Sequence, residues 1–249
     1  MLTEERKKRI IDLIDQEEII KSQALMKDLN ASESTIRRDL QELEAAGLLK
    51  RVHGGAKKIV KLDHEPTMLE KSSQNVQNKQ LIAKYACQLI NDGDVIYLDA
   101  GTSTYEMIPF LANKDITVVT NSVYHAAALS DLNISTMIIG GNIKLNTKAV
   151  VSAFSVKQIT LFRFDKSFMG INGVHSDYGL TTPDSEEATM KTSAINQSEQ
   201  IFFMADSSKF NKVSFAKVAD IDTGIIITDR LAENVAPLMA QLSNIKEVN

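Results

Sequence analysis

Two adjacent arginines near the N-terminus, Arg37 and Arg38, belong to a residue type that commonly binds nucleic acids. An arginine side chain can donate two hydrogen bonds to a guanine or pair with a phosphate group. Ser34 and Gln41 lie within one helical turn of these arginines and carry groups that can contact base edges. Taken alone, such a pair more often marks a solvated helix surface, so its meaning depends on the elements that position it.

The apolar pattern around the arginines predicts three short helices with a tight turn between the second and the third. Ser32 is a suitable N-cap for the third helix, and Gly47 suits the residue that follows it. The apolar positions are Ile10, Leu13 and Ile14, then Leu25 and Leu29, and finally Ile36, Leu40 and Leu43. At about 100° per residue, burial of the third group directs both arginines, Ser34 and Gln41 outward, as in a DNA-binding helix-turn-helix.

A short β-hairpin is predicted after the third helix, from segments Leu48–Val52 and Ala56–Val60. The glycines of the intervening His53-Gly54-Gly55 supply the unusual backbone angles of a tight turn. Arg51 and Lys57 flank the turn, so we expect a wing that touches the DNA backbone or minor groove. We interpret His53 as a turn or phosphate-contact residue, because a metal site would need further histidines or cysteines nearby.

The charge of the chain is unevenly distributed, although its net value is −4 over 249 residues. Residues 1–61 hold 13 Lys and Arg against 11 Asp and Glu, whereas the remainder holds 15 against 21. A local basic stretch on an otherwise acidic chain suits a confined phosphate-binding surface.

The composition argues against several other classes of protein. Hydrophobic residues make up 43% and charged residues 24%, as in an ordinary soluble domain. No apolar run approaches the roughly 18 residues of a membrane span, and the N-terminus lacks the apolar core of a signal peptide. Cys87, the single cysteine, cannot form an internal disulfide or a cysteine-based zinc site. We therefore expect a cytoplasmic protein with no membrane contact, no metal and no cofactor.

Strand-like and helix-like segments alternate from Gly93 onward, which is typical of an α/β domain with a mainly parallel sheet covered on both faces. The predicted strands are Val95–Leu98, Ile116–Val119, Thr136–Ile139, Ser167–Ile171, Ile201–Met204 and Gly224–Thr228. The predicted helices include residues 78–90, 103–111, 123–129, 186–196 and 232–242. We predict a DNA-binding domain over residues 1–57, a linker over 58–75 and a sensor domain over 76–249.

The loops after the strands form the candidate ligand site, because ligands of such sheets bind at the carboxyl ends of strands. Asp99–Thr104 combines a glycine, three hydroxyls and free backbone N–H groups, as in a phosphate cradle. Hydroxyls also cap helices, but other strand ends are likewise small, polar or cationic: Thr120-Asn121, Gly140-Gly141, Gly170–Gly173 and Ala205–Lys209. Together these loops predict a site for a polar anionic ligand.

The N-terminal motifs resemble the DeoR family of bacterial repressors. The resemblance rests on Ser32–Leu40, Leu43-Glu44, Gly47 and Val52–Ala56, and the opening Leu2–Arg6 also fits. It implies double-stranded operator DNA as a partner and an outward, DNA-facing position for Ser34, Thr35, Arg37 and Arg38. It also implies that Asp39 has a structural role.

The remainder of the chain is similar to the DeoR sensor domain, whose fold is related to ribose-5-phosphate isomerase. The similarity runs through the strand-end motifs above and through Glu186-Glu187-Ala188 with Lys191. It implies a phosphosugar effector, with Gly101–Thr104 and Lys209 around the phosphate and carboxylates or amides around the sugar hydroxyls. The expected effector-binding residues are Asp99, Gly101, Thr102, Ser103, Thr104, Asn121, Gly141, Gly170, Asn172, Glu186, Lys191, Asp206 and Lys209. Ser103 replaces the threonine common in the family, and the hydroxyl is retained.

Within the family, Asp99–Leu111, Gly170–Gly173 and Thr181–Asp184 look most like the fructose operon repressors of Gram-positive bacteria. This resemblance implies fructose 1-phosphate as the inducer and a homo-oligomer, dimer or tetramer, as the binding form. Two other classes stay open at this point. One is an active sugar-phosphate isomerase with a DNA-binding extension, in which acids and bases are drawn from Asp99, Glu186, Glu187 and Lys209. The other is a structural nucleic-acid-binding protein without sequence preference or ligand response.

Overall fold

The buried apolar residues of the chain collect in two separate units, Met1–Lys61 and Leu62–Asn249. The computed structural model describes residues 2–17, 19–58, 62–63, 66–231, 235 and 242–248. The end of the strand predicted up to Val60 and most of the helix predicted over 232–242 lie outside the described residues. We refer below to the N-terminal unit and the C-terminal unit and describe each by itself.

The N-terminal unit contains the predicted helix-turn-helix and hairpin. Its helices are α1 (Thr3–Glu17), α2 (Ser22–Asp28) and α3 (Glu33–Ala45), and its strands are β1 (Ile19–Lys21), β2 (Leu49–Val52) and β3 (Gly55–Lys58). The side chain of Ser32 caps α3 by accepting from the backbone N–H of Thr35, and Gly47 follows the helix with φ of 70°. The predicted apolar stripes, including Ile14, Leu25 and Ile36, are buried together. These predictions are therefore confirmed.

Strand β1 was not predicted, and it turns the hairpin into a three-stranded antiparallel sheet in the order β1-β3-β2. Gly55 permits this pairing, because a Cβ atom there would lie 2.1 Å from the carbonyl oxygen of Ile20. Gly54 has a φ of 77° and makes the turn. The two glycines thus serve different purposes, a close approach and a turn.

Asp39 is buried in α3 and holds α1 against it. The Arg6 guanidinium donates to both carboxylate oxygens, with Nε at 2.5 Å from Oδ2 and Nη2 at 3.1 Å from Oδ1. Such a bidentate ion pair fixes both the distance and the orientation of the two helices. Asp39 thus makes the structural contact that the family resemblance implied.

In the C-terminal unit, seven described strands form one sheet whose pairings are all parallel. The strands are β4 (Val95–Leu98), β5 (Thr117–Thr120), β6 (Ser135–Ile138), β9 (Phe164–Gly170), β12 (Ser198–Met204), β14 (Ile225–Thr228) and β15 (Ile245–Glu247). Their order is β15-β14-β12-β9-β4-β5-β6. The six predicted strands are present, and β15 is an addition. The parallel α/β fold is therefore confirmed.

Apolar side chains pack on both faces of this sheet. Along β4, Tyr97 belongs to one buried cluster, while its neighbours Ile96 and Leu98 belong to the other. Successive strand residues point to opposite faces, so a strand buried on both sides is continuously apolar. The covering helices are α5 (Val76–Gln88), α6 (Thr102–Tyr105), α7 (Val123–Asp131), α8 (Ala153–Ile159) and α9 (Ser185–Asn196).

The helix predicted over residues 103–111 is instead split. α6 ends at Tyr105, and a separate 3-10 turn spans Ile108–Leu111. Pro109 accounts for the break, because its ring lacks an N–H and would clash with the carbonyl of residue 105 in a continuous helix. The remaining strands are short: β7 (Asn142–Ile143), β8 (Val150–Val151), β10 (Gly173–His175), β11 (Gly179–Thr182) and β13 (Ala216–Ala219).

The segment predicted as a linker, 58–75, contains a short helix, α4 (Met68–Ser72). Thr67 and Glu70 form a capping box at its start, which explains why this polar stretch is helical despite its weak periodicity. Residues from Leu62 onward belong to the C-terminal unit, while the domain limits 1–57, 58–75 and 76–249 stay a prediction. Among the described helices, none has the length and apolar character needed to cross a membrane.

A buried histidine on α7 secures the loop that follows β4. His125 Nε2 lies 3.1 Å from the Thr104 hydroxyl, and Nδ1 lies 2.6 Å from the Ser122 hydroxyl. The Thr104 hydroxyl in turn donates to the carbonyl of Asp99 at 2.6 Å and accepts from the N–H of Gly101. Burial lowers the pKa of His125 to about 3, so the ring is neutral near pH 7.

We expect Asp39→Ala to lower the free energy of unfolding by about 3 kcal/mol, because it leaves the largely buried Arg6 without its partner. Urea unfolding of the full chain, followed by circular dichroism, measures this loss. Glu42→Ala is the control, since Glu42 is exposed on the same helix and its solvent-screened ion pairs contribute little to stability. Equal losses in the two variants would contradict the structural role of Asp39.

His125 should make the stability of the C-terminal unit depend on pH. Between pH 6.5 and about 3, His125 is protonated in the unfolded chain but neutral in the folded chain. The free energy of unfolding therefore falls as the pH decreases. From pH 7.5 to 5.0 we expect this histidine to lower the free energy of unfolding by about 2 kcal/mol. Urea unfolding of the wild type and of His125→Gln at both pH values measures the contribution of His125 to this pH dependence. An unchanged pH dependence in the variant would contradict the prediction.

Candidate nucleic-acid interface and ligand pocket

The outer face of α3 carries the residues predicted to contact DNA. Ser34, Arg37, Arg38 and Gln41 are exposed, and Thr35 is half-buried next to the cap. The Thr35 hydroxyl lies 2.8 Å from the Ser32 hydroxyl, so it is partly engaged within the turn. The Arg38 side chain is 83% exposed, and its Nε lies 3.5 Å from a carboxylate oxygen of Glu42. Most of the guanidinium is therefore accessible to an anion such as a DNA phosphate.

The hairpin places further cations beside α3. Arg51 is half-buried, and His53 and Lys57 are exposed. The backbone N–H of Arg51 donates to Glu44 at 2.8 Å, which ties the hairpin to α3. Arg37, Arg51 and His53 line one groove between α2, α3 and the turn.

Sequence reasoning missed three residues of this groove, Lys21, Ser22 and Gln23. They lie where β1 meets the start of α2, a position that depends on the unpredicted pairing of β1 with β3. The signal available in the sequence was a short polar stretch directly before the apolar stripe of the second helix.

In the C-terminal unit, the loops after β4, β9 and β12 meet at one pocket. Nine of the thirteen predicted effector residues line it: Asp99, Gly101, Thr102, Ser103, Gly170, Asn172, Lys191, Asp206 and Lys209. Residues outside the predicted effector-binding set also line it: Met68, Lys71, Gln74, Lys79, Ala100, Thr147, Ile171 and Glu187. The pocket therefore combines hydroxyls, lysine amines and carboxylates within one cavity.

A buried ion pair forms the floor of the pocket. The Lys191 amine of α9 donates to Asp99 Oδ2, and the backbone N–H of Gly170 donates to the same oxygen at 3.2 Å. Both side chains of the pair are at most 5% exposed. Because each charge is neutralised by the other, this pair can supply hydrogen bonds to a ligand but little net charge.

A second carboxylate, Asp206, lies after β12 and is also buried. Its Oδ1 accepts from the Asn75 amide and from the N–H of Ser208, each at 3.0 Å. Its Oδ2 has no hydrogen-bond partner among the described residues, and the Lys209 amine is 3.8 Å away. A ligand hydroxyl could donate to this unsatisfied oxygen.

Lys79, on α5, was not predicted, yet its side chain is 4% exposed at the pocket wall. Its amine donates to the backbone carbonyl of Lys71. Burial lowers the pKa of Lys79, while the charge of Asp206 opposes and that of Lys209 reinforces this shift. The sequence held a signal for it, because Lys79 falls on the same helical stripe as Ile82 and Ala83, where a charge is unusual.

Four of the predicted effector residues do not line the pocket. Glu186 is exposed, and its neighbour Glu187 lines the pocket instead, accepting from the Thr147 hydroxyl at 2.7 Å. The two glutamates follow the N-cap Asp184, and consecutive helical residues point about 100° apart, so only one can face inward. Glu186 is therefore replaced by Glu187 in our description of the site.

The other three have contacts within the protein. Asn121 is buried, accepting from the Tyr97 hydroxyl at 2.9 Å and donating to the carbonyl of Val150. Thr104 secures the loop through His125, as described above. Gly141 has a φ of 151°, and a Cβ there would lie 2.1 Å from the Ser155 hydroxyl. These residues support the pocket loops without lining the pocket.

The structure also bears on metal binding and on Cys87. In the described ranges, no group of three or more His, Cys, Asp or Glu side chains is placed to hold a metal ion. Burial raises the pKa of the Cys87 thiol to about 12, and the thiol lies 3.5 Å from the carbonyl of Met107. This thiol is therefore protonated at neutral pH and packs as a small apolar side chain.

Comparison with known proteins identifies related sequences for both units. Residues 6–61 match the DeoR-like helix-turn-helix domain, and residues 74–230 match the DeoR C-terminal sensor domain. The uncharacterized HTH-type transcriptional regulator FruR of Bacillus subtilis is 50% identical over 92% of this chain and 91% of that protein. The HTH-type transcriptional regulator GlpR of Haloferax volcanii is 36% identical over 92% and 91%. The lactose phosphotransferase system repressor of Staphylococcus epidermidis is 30% identical over 90% and 91%.

Among solved structures, ribose 5-phosphate isomerase A of Methanocaldococcus jannaschii is similar over 55% of each chain, with 18% identity and a TM-score of 0.42. A likeness of this extent carries no argument about the chemistry of the pocket. The two domain matches together span most of the chain, and the relatives named above are matched over nearly their whole length. The chain belongs to the DeoR family of helix-turn-helix transcriptional regulators.

Proposed function

We propose that this protein represses a sugar-utilisation operon and leaves its operator when a phosphorylated sugar fills the pocket. The observation that carries the proposal is the composition of the pocket, whose lining combines lysine amines, hydroxyls and carboxylates. A sugar phosphate needs both kinds of partner, because its phosphate is anionic and its hydroxyls donate and accept hydrogen bonds. The relative in Staphylococcus epidermidis, named as a lactose phosphotransferase system repressor, supports a sugar-related signal.

Within the pocket, we assign the phosphate to the Thr102 and Ser103 hydroxyls, the adjacent backbone and the amines of Lys79 and Lys209. Lys209 is part-exposed and its nearest described carboxylate is 3.8 Å away, so it retains attraction for an anion. The sugar hydroxyls then lie near Asp206 and Asn172. Asp206 Oδ2 is unsatisfied and accepts readily, and Asn172 already accepts from Thr182 at 3.0 Å.

We propose fructose 1-phosphate as the effector. The support comes from the resemblance of the strand-end motifs to fructose operon repressors and from the 50% identity to the regulator named FruR. We also propose that the repressor is a cytoplasmic homo-oligomer, because paired DNA-binding units match the two half-sites of a symmetric operator.

The second candidate, an active isomerase, is disfavoured by the state of the carboxylates in the pocket. Asp99 is paired with Lys191, and Glu187 accepts from Thr147 and lies 3.5 Å from Lys144, so each would have to leave a partner to act as a base. A regulator needs only a difference in ligand affinity between its DNA-bound and free states. Turnover of sugar phosphates that disappears in Glu187→Gln would favour the enzyme instead.

Operator binding measured against a panel of sugar phosphates tests the effector. We expect fructose 1-phosphate to release the wild-type protein from a labelled operator, whereas fructose, fructose 6-phosphate and inorganic phosphate should not. Fluorescence anisotropy at one fixed salt concentration provides the measurement. Lys209→Met should lose the response, while Lys217→Met, an exposed lysine outside the pocket, should keep it. Indifference of the wild type to every phosphosugar would overturn the sensor assignment.

Two substitutions separate base recognition from phosphate contact on the DNA-binding unit. Arg38→Ala should weaken operator binding by roughly 1–3 kcal/mol while affecting non-specific DNA less. Lys57→Ala should weaken both kinds of binding alike and reduce the slope of log affinity against log salt by about 1. Titrations of operator and scrambled DNA over a salt series measure both effects. An unchanged operator affinity in Arg38→Ala would refute the assignment of α3 as the recognition helix.

A further inference from the structure

Residues Met68–Asn75, which we call the strap, form one wall of the pocket. Met68, Lys71 and Gln74 all line it, and the strap begins seven residues after Lys61, the last residue of the N-terminal unit. The strap, which leads toward the DNA-binding unit in sequence, therefore also contributes to the lining of the pocket.

Three contacts tie the strap to the rest of the C-terminal unit. The N–H of Met68 donates to the carbonyl of Asn146 at 3.0 Å, and the Lys79 amine donates to the carbonyl of Lys71. The Asn75 amide donates to Asp206 Oδ1 at 3.0 Å and lies 3.3 Å from the Ser208 hydroxyl. Helix α4 has five residues, too few to be stable alone, so the strap depends on these ties.

Two of these ties are made by ionisable groups of the pocket itself. Lys79 and Asp206 both line the cavity, and both are at most 4% exposed. The Lys79 amine is hydrogen-bonded to a neutral carbonyl, and a phosphate oxygen is a stronger partner for an ammonium group than a carbonyl. An anion in the pocket therefore competes with the strap for the same amine.

We propose that the strap is the element through which the pocket controls DNA binding. An anionic effector draws the Lys79 amine away from the Lys71 carbonyl and engages Asp206, which loosens the strap and alters the path of the chain leading to the DNA-binding unit. This inference rests on the proposed function, because it requires an anionic effector in the pocket. The effector supplies the free energy for the change by binding the loosened state more tightly than the tied state.

Asn75→Gly tests the strap without changing any residue that lines the pocket. Asn75 has a φ of 51°, which glycine adopts without strain, and its side chain is exposed and does not line the cavity. The substitution removes the contacts to Asp206 and Ser208. Asn133→Gly is a matched control, because Asn133 has a φ of 58° and lies exposed after α7, outside the pocket lining.

The experiment measures two quantities on the full chain. Calorimetry with fructose 1-phosphate gives the effector affinity without DNA, and anisotropy gives the operator affinity with and without saturating effector. For Asn75→Gly we expect tighter effector binding, because the loosened state is favoured, and a fall of at least about fivefold in the ratio of the two operator affinities. Asn133→Gly should match the wild type in both. In the wild type, effector should also speed amide hydrogen exchange within residues 68–74.

The possible outcomes separate this inference from the function on which it rests. If Asn75→Gly binds effector and releases the operator as the wild type does, the strap inference is overturned and the proposed function stands. If the wild type binds none of the sugar phosphates of the panel and none releases it from the operator, both are overturned. Asn75→Asp gives a second test should the glycine variant fold poorly, since it places a carboxylate against Asp206 and breaks the same tie.

Discussion

The parallel pairing of β12, β9 and β4 is the constraint on which the pocket depends. These three strands are neighbours in the sheet, so the loops that follow them leave from the same edge. Asp99 directly follows β4, Gly170 ends β9, and Asp206 lies two residues beyond β12. Residues far apart in sequence therefore meet because of backbone hydrogen bonding, before any side chain of the pocket makes a contact.

Charge within the pocket is already partly balanced by the protein itself. The Asp99–Lys191 pair is neutral as a unit, and it is tolerable in a buried position because the N–H of Gly170 also binds the carboxylate. Lys79 differs, since its amine is hydrogen-bonded to a neutral carbonyl, and the charge of Asp206 only partly offsets the lowering of its pKa by burial. The attraction for an anion therefore rests mainly with Lys79 and Lys209. This division gives a physical reason why Lys191 has a structural role, while Lys79 and Lys209 are the lysines that we propose to bind the ligand.

The sequence was sufficient to predict features that depend on local spacing. The stripe of Ile36, Leu40 and Leu43, the cap at Ser32 and the bounds of β4 follow from periodicity and capping rules. Strand β1 could not be found this way, because three residues carry too little pattern and its pairing with β3 is made over more than thirty residues. Helix α4 was likewise missed, since its stability comes from a capping box and from contacts with distant residues.

The candidate pocket was predictable in part for a related reason. Polar residues at strand ends meet at one edge of a parallel sheet, so Asp99 and Asp206 could be assigned from the alternation of strands and helices. The same rule also selected Asn121, whose amide binds Tyr97 and Val150 instead, because a strand-end residue can serve either a ligand or the fold. Only the packing of Tyr97 decides between these roles. Lys79 was not predicted because it lies on helix α5, whereas the rule selects residues at strand ends.

The exposed and the buried cations of this chain suit two different kinds of anion binding. Arg38 and Lys57 are exposed to solvent, so both side chains stay hydrated. They attract a polyanion over a distance that shortens as the salt concentration rises. Lys79 is buried, so its attraction is short-ranged, weakly screened and linked to the position of the strap it holds. A buried cation with a protein partner must exchange that partner when a ligand binds. In this chain the partner is the Lys71 carbonyl, so under our proposal a ligand bound at Lys79 acts on the segment that leads to the DNA-binding unit.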